Sequence, residues 1–252
     1  MKAQFKYAFS AGLTVRGGTF AVILLMNLVF ILFGVFGMLP FAANVTAVAL
    51  CGTGVAVMMA LNLVGDIAIA RRMFAAPGAY LYALTPVPRW KPLLASVVAM
   101  LAADVVTMTF PILGVTWLSL RLAGESIGAV VWDSIRGNAS DWLFGLWFIA
   151  LMLAGYLFIV MVILFCAAMK KSVFYQKPAG GLLTALTALG AFYVHGLSSL
   201  LLAPLGVVER WGWWFLVTVG RTGIIAYLFL VLIQAAALFA ATARLMERKM
   251  NI

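Results

Sequence analysis

The chain has 252 residues, of which 66% are hydrophobic and 10% are charged, and its formal net charge is +10. Soluble domains carry about 25% charged residues, and a mean hydropathy of +1.14 means more apolar surface than such a domain can hide. The composition therefore excludes a cytosolic globular enzyme, a disordered chain and a nucleic-acid-binding protein. It predicts an all-α polytopic membrane protein.

Six apolar segments follow one another along the chain. Each is long enough to cross roughly 30 Å of hydrocarbon as a helix. The predicted spans are residues 19–39, 45–70, 93–120, 143–169, 181–203 and 223–243. They are apolar on all sides, as is typical of helices surrounded by lipid. Residues 1–252 are thus predicted to form a single transmembrane domain.

The basic residues divide unevenly between the two sets of loops that six spans create. Thirteen fall in one set and four in the other. The larger set is Lys2, Lys6, Arg16, Arg71, Arg72, Arg89, Lys91, Lys170, Lys171, Lys177, Arg244, Arg248 and Lys249. Cytoplasmic loops are enriched in Lys and Arg, so both termini are predicted to be cytoplasmic, in the inner membrane of a bacterium. This topology explains most of the positive charge without a nucleic-acid partner.

Residues 1–18 precede the first span and are more polar than it. Phe5, Phe9 and Leu13 recur every four residues, whereas Lys2 and Lys6 lie on another face. This pattern predicts an amphipathic helix on the inner leaflet. A frayed basic tail is the alternative.

The loop between the second and third spans is rich in proline. Pro77 can open a helix, Gly78 to Leu84 can continue it, and Thr85 ends it because it precedes another proline. The result is a cytoplasmic helix of about two turns. It exposes Tyr80, Leu81 and Leu84, so it is predicted to be a docking site for a partner. A connector packed on the bilayer surface, with its tyrosines as anchors, is the alternative.

The region between the fifth and sixth spans is apolar but broken by Pro204, several glycines and charged residues. Three tryptophans, Trp211, Trp213 and Trp214, lie in its middle. Such short segments predict a broken hairpin of re-entrant or interfacial helices, with the tryptophans at the outer headgroup level. A seventh span is the alternative, but it would place the C-terminal cations outside.

Three ionisable residues fall inside predicted spans, where charge is costly. Asp66 lies near the inner end of the second span and is expected to pair with Arg71 or Arg72. Asp104 lies near the middle of the third span, where it could bind substrate, carry a proton or stay neutral and hydrogen-bonded. His195 is expected to be a neutral imidazole that hydrogen-bonds across helices.

Motifs for catalysis or nucleotide binding are absent from the sequence. There is no Gly-x-x-x-x-Gly-Lys-Ser/Thr, no His-Glu-x-x-His and no Cys-x-x-Cys. One histidine supplies too little for a metal site or a Ser-His-Asp triad. The two cysteines, Cys51 and Cys166, lie in apolar runs and are predicted to be buried small hydrophobes. The chain is therefore not expected to be an enzyme or to bind a cofactor.

The residues 72–89, RMFAAPGAYLYALTPVPR, together with the six spans, resemble the permease subunit of a type-2 ATP-binding-cassette exporter. In that family a Pro-bounded helix of this loop docks the ATPase. The resemblance implies a cytoplasmic ATPase partner that carries ATP and Mg, and a second permease in a homodimer or heterodimer. It assigns ATPase docking to Pro77, Gly78, Tyr80, Leu81, Tyr82, Leu84 and Arg89.

The exported cargo implied by this resemblance is hydrophobic or amphipathic: a peptide, a lipid-like molecule or a drug. Three other readings stay open. The first is a proton- or ion-coupled secondary transporter that uses Asp104 and His195, although no internal repeat supports it. The second is an intramembrane or lipid-modifying enzyme, and the third is a membrane anchor or sensor for a partner complex.

Overall fold

The computed structural model describes residues 2–36, 41–75, 88–124, 139–174, 177–200, 202, 208–211, 215–218 and 221–249. These residues form six long helices and two short strands. The helices are α1 (Lys2–Val35), α2 (Phe41–Ala75), α3 (Trp90–Leu122), α4 (Ala139–Ser172), α5 (Gly180–Leu200) and α6 (Arg221–Lys249). All six are long and apolar enough to cross a membrane, which confirms the expectation of six such helices.

The first helix is longer than its predicted span. A single helix, α1, runs from Lys2 to Val35, so no break separates the expected interfacial helix from the first span. Phe5 and Phe9 stack one turn apart, with ring centroids 5.7 Å apart and planes 12° from parallel. Residues 2–18 are therefore helical, while the amphipathic helix on the membrane surface that was expected for residues 1–18 stays a prediction.

The region between α5 and α6 requires a correction. Where helices were expected, the described residues form two antiparallel strands, β1 (Val208–Trp211) and β2 (Phe215–Thr218). Val208 pairs with Thr218, and Trp211 pairs with Phe215. Five of these eight residues are β-branched or aromatic, the side chains that strands favour. Apolar composition alone did not distinguish a short strand from a short helix.

Two compact units make up the chain. The first comprises Met1–Ile69 and Val98–Ala139, and the second comprises Ala70–Val97 and Ser140–Ile252. The first therefore contains α1, most of α2 and most of α3, whereas the second contains α4 to α6 and the hairpin. The single domain over residues 1–252 stays a prediction.

Each unit has an apolar cluster of its own. In the first, Ala47, Cys51 and Leu118 are buried against residues of α1 and α3. In the second, Phe158 and Cys166 of α4 pack with residues of α6. Both cysteines are free and buried, so the prediction that they act as small hydrophobic residues is confirmed.

Candidate functional site

Three helices of the first unit bring one arginine and two aspartates together. Arg16 of α1 and Asp66 of α2 are fully buried, and Asp104 of α3 is 4% exposed. The Nη2 atom of Arg16 lies 2.5 Å from Oδ1 of Asp66 and 2.9 Å from Oδ1 of Asp104. A single guanidinium nitrogen thus contacts both carboxylates. We call Arg16, Asp66 and Asp104 the charge cluster.

Neutral polar groups of α2 and α3 surround the charge cluster. Nη2 of Arg16 also donates to the backbone carbonyl of Asn62, at 2.9 Å. The side-chain Oδ1 of Asn62 lies 3.0 Å from the hydroxyl of Thr107, which also lies 2.9 Å from the carbonyl of Ala103 one turn earlier. Asn62 and Thr107 are buried, so the cluster continues into a polar layer shared by both helices.

Glycines of two helices lie against the guanidinium, and Gly65 of α2 is the one that makes room for it. A Cβ atom at Gly65 of α2 would lie 2.9 Å from both Cζ and Nη2 of Arg16, closer than van der Waals contact allows. A Cβ atom at Gly12 of α1 would lie 3.4 Å from Nη1. The buried Nε and Nη1 atoms make no hydrogen bond to the residues that the structure describes. The arginine is therefore held by Nη2 and by close packing.

The charge cluster changes two readings of the sequence. The cation paired with Asp66 is Arg16, fifty residues earlier in the chain, rather than the expected Arg71 or Arg72, whose side chains are exposed. Arg16 itself is buried, although it was expected in an interfacial helix and counted among the cations of the cytoplasmic loops. Twelve cations remain in the larger set of loops against four in the smaller, so the predicted orientation is unaffected.

Asn27 is a further buried polar residue of the first unit that sequence reasoning missed. It is 3% exposed, and its Nδ2 donates to the carbonyl of Ile23, at 2.9 Å. A Cβ atom at Gly114 of α3 would lie 3.2 Å from Cβ of Asn27. A side chain at position 114 would therefore collide with Asn27, and the glycine leaves room for the asparagine. An amide in the middle of an apolar span was the available signal.

A second polar cluster lies in the second unit and centres on His195 of α5. Its Nδ1 is 2.6 Å from Oε1 of Gln234, and its Nε2 is 2.8 Å from the hydroxyl of Tyr227. Both partners belong to α6, so the expected hydrogen bond of His195 across helices is confirmed. The imidazole also stacks on the ring of Phe158 of α4, with centroids 4.7 Å apart. The ring is held from three sides.

The hydrogen bonds around His195 fit a neutral ring. Since Oε1 of Gln234 only accepts, Nδ1 of His195 carries the hydrogen, and in a neutral ring the hydroxyl of Tyr227 then donates to Nε2. Nε2 of Gln234 donates to the hydroxyl of Ser198, which donates to the carbonyl of His195, at 2.8 Å. These contacts join polar groups of α5 and α6 to one another, as expected for polar groups that stabilise a pair of apolar helices.

Replacement of Tyr227 by Phe should lower the free energy of unfolding by about 1 kcal/mol, because Nε2 of His195 loses its donor. Tyr193→Phe on α5 is the matched control, since that tyrosine is 68% exposed. Thermal unfolding of the purified protein in detergent measures both changes. Equal behaviour of the two variants would contradict a stabilising role for the bond to Tyr227.

The two polar residues that the secondary-transport reading combines take part in separate networks. Asp104 belongs to the charge cluster of the first unit, and His195 bonds within the second. Arg89, at the start of α3, has a half-buried side chain. The other residues of the expected ATPase-docking loop, Pro77, Gly78, Tyr80, Leu81, Tyr82 and Leu84, lie outside the described residues.

The described polar groups thus form one buried network and one half-buried network inside helices of membrane-spanning length. Each network ties neighbouring helices together, and the first contains a full positive charge. Comparison of the chain with protein-family models, curated proteins and solved structures gave no match.

Proposed function

We propose that the chain is the membrane-spanning permease subunit of an ATP-driven exporter, with its ATPase on a separate chain. The observation that carries the proposal is a set of six membrane-length helices combined with the sequence 72–89, which resembles the ATPase-docking loop of type-2 exporters. The sequence contains no phosphate-binding loop, so the free energy for transport would come from a partner. The cargo is hydrophobic or amphipathic.

The proposed docking element connects α2 and α3. The described part of α2 ends at Ala75, and α3 begins at Trp90, so the Pro-bounded segment 77–84 belongs to the link between two spans. Arg71 and Arg72 are exposed at the end of α2, which suits a cytoplasmic position. With both termini cytoplasmic, as the loop charges favour, this link and the N-terminal end of α1 face the same side as the ATPase.

Force from the ATPase would reach the spans through this link. ATP binding closes the ATPase dimer, and the dimer shifts the permease between inward-open and outward-open or closed states. The ATPase dimer can shift this equilibrium only by the difference between its binding free energies for the two permease states. In the proposed assembly two permeases form the path, with spans one, two and five facing the cargo.

The exposed surface of α5 suits a position that faces either the cargo path or the lipid. Only 6% of that span is buried within the chain, against 50% of the α3 span. Its exposed side chains are mostly large and apolar, among them Leu182, Leu186 and Leu189. Apolar surface of this kind suits a hydrophobic or amphipathic cargo as well as a second permease.

Aspartate in place of Tyr82 or Leu84 should abolish co-purification of the ATPase, because a charge in the centre of an apolar contact removes its anchor. Tyr175→Asp, in the next loop predicted to be cytoplasmic, is the matched control and should leave the complex intact. Affinity purification of the tagged permease from its native membrane, followed by identification of bound ATPases, measures this. An ATPase retained by both docking variants would contradict the docking role of residues 77–84.

The alternative is a proton- or ion-coupled secondary transporter using Asp104 and His195. The buried charges of the first unit favour it, since ionisable groups at membrane depth often mark ion pathways. Reconstitution of the chain alone in vesicles separates the two functions. Transport driven by a proton gradient, without ATP and without an ATPase, would establish the alternative and exclude the exporter.

A further inference from the structure

Acidic side chains are scarce in the loops that hold most of the cations. The larger set of basic loops contains one acid, Glu247. The other set balances its four cations with four acids, Glu125, Asp133, Asp141 and Glu209. Orientation in a membrane follows the bias of Lys and Arg, and acids contribute little to it. The predicted topology therefore explains where the cations lie, but it does not explain why so few acids accompany them.

Most of these cations belong to the second compact unit and lie at the ends of its helices. Arg72 is in the last turn of α2, Lys170 is in the last turn of α4, and Lys91 is the second residue of α3. Because consecutive spans cross a membrane in opposite directions, these helix ends face the same side in the predicted topology. We call the following side chains of this unit the basic surface: Arg71, Arg72, Lys91, Lys170, Lys177 and Arg244. Lys91 is half-buried and the other five are exposed.

The helix ends that carry the basic surface also contribute buried apolar side chains. Phe74 of α2, Leu93 of α3, Ala168 of α4 and Met246 of α6 are all buried. Their packing fixes the rotation of each helix end and leaves its cations on the outside. The basic surface is therefore built on packed helix ends, where its charges have defined positions.

An exposed tryptophan lies beside the basic surface. Trp90, the first residue of α3, is 42% exposed, and Nζ of Lys91 lies 5.6 Å from the centroid of its ring. Tryptophan is enriched where lipid headgroups meet the hydrocarbon of a membrane. It suits contact with a lipid better than contact with a soluble polyanion, which stays in water.

We propose that the basic surface binds the phosphate headgroups of anionic phospholipids in the leaflet that it faces. Clusters of Lys and Arg beside the ends of spans are typical of this contact, and their attraction acts over about a Debye length. Acids among them would repel the same headgroups, which accounts for the scarcity of acids in these loops. The inference requires neither an ATPase nor a particular cargo, so it is independent of the proposed function.

Displacement of a fluorescent phosphatidylglycerol from the purified full chain, in micelles of a neutral detergent, tests the proposal. Unlabelled phosphatidylglycerol should displace it about tenfold more effectively than phosphatidylcholine with the same acyl chains. High salt should reduce this preference, because exposed charges are screened. Inorganic phosphate at the same concentration should displace little, since it has no acyl chains. Equal displacement by the two phospholipids, or by inorganic phosphate and phosphatidylglycerol, overturns the proposal.

Matched variants locate the binding surface. One variant combines Arg71→Gln, Arg72→Gln, Lys170→Gln and Lys177→Gln, and it should lose the preference for phosphatidylglycerol. The control combines Arg121→Gln, Arg136→Gln, Arg210→Gln and Arg221→Gln, and it should keep the preference although it loses the same charge. If the first variant does not fold, its arginine pair and its lysine pair are replaced separately, and each should lower the preference by about threefold.

Two results with these proteins would contradict a lipid-binding role of the basic surface. The first is a preference for phosphatidylglycerol that the basic-surface variants retain or that the control loses to the same extent. The second is displacement from the wild type by soluble polyglutamate as effective as that by phosphatidylglycerol, which would indicate an acidic protein as the occupant.

Discussion

Gly65→Ala should lower the free energy of unfolding by about 3 kcal/mol or more, an unusually large effect for the addition of one methyl group. The new Cβ would lie 2.9 Å from Cζ and Nη2 of Arg16, so the guanidinium must move. Because Nη2 carries the contacts to Asp66 and Asp104, the movement breaks a buried ion pair. Overpacking costs about 1–3 kcal/mol, and breaking a buried pair costs about 3–5 kcal/mol.

Gly52→Ala, on the same helix, is the matched control. No atom lies within 4 Å of its Cβ position, so this variant should change stability by about 1 kcal/mol or less. A double-mutant cycle then isolates the cause. In an Arg16→Gln background, Gly65→Ala should cost much less, since the shorter side chain leaves room for the methyl group. If Gly65→Ala costs as much in both backgrounds, the collision with Arg16 is not the reason.

The spans could be predicted from the sequence because hydropathy averages over about twenty residues. Each of the six apolar segments coincides with a helix of spanning length. The polar residues Asp66, Asp104 and His195 could also be singled out, since ionisable side chains are rare in such segments. What hydropathy could not supply is which side chains meet, because contacts between helices depend on their rotation and their approach.

Arg16 illustrates this limit. The phenylalanine spacing and the lysines of residues 1–18 are typical of an interfacial helix, and an arginine there is expected to face water or lipid headgroups. In the structure residues 2–18 belong to the same helix as the first predicted span, and Arg16 is buried. Asp104, which lies in an apolar span more than ten residues from the nearest cation in the sequence, was the available signal that a partner could come from another helix. Gly65 gave no signal, because its role exists only where α1 approaches α2.

The network of His195 could be foreseen in part. A histidine in an apolar span requires polar partners, and Gln234 is an uncharged polar residue in the sixth span that could have been proposed as one. Tyr227 carries no such signal, since tyrosines are common near the ends of spans. The hairpin was missed for a different reason: four-residue strands are too short for hydropathy to distinguish from helical turns.

Simultaneous replacement of Asp66 and Asp104 by Asn should lower the free energy of unfolding by about 3–5 kcal/mol, whereas each single replacement should cost only about 1 kcal/mol. After one replacement, the remaining carboxylate still lies within ion-pair distance of Arg16, and the asparagine has nearly the size and shape of the aspartate. After both, the guanidinium is buried without a counter-charge. It cannot relieve this by losing its proton, since arginine stays protonated in proteins.

The order of these stabilities separates charge balance from the simple loss of hydrogen bonds. Lost hydrogen bonds would add, so the double variant would cost about twice a single one, or about 2 kcal/mol. Charge imbalance makes the cost greater than additive, and Arg16→Gln in the double-variant background should then restore most of the stability by removing the unpaired cation. Reversible unfolding in mixed micelles measures the free energy of unfolding of the two single variants, the double variant and the double variant with Arg16→Gln added, each against the wild type. If the added Arg16→Gln destabilises the double variant further, Arg16 contributes through its packing and hydrogen bonds, and its charge is not what the two aspartates compensate.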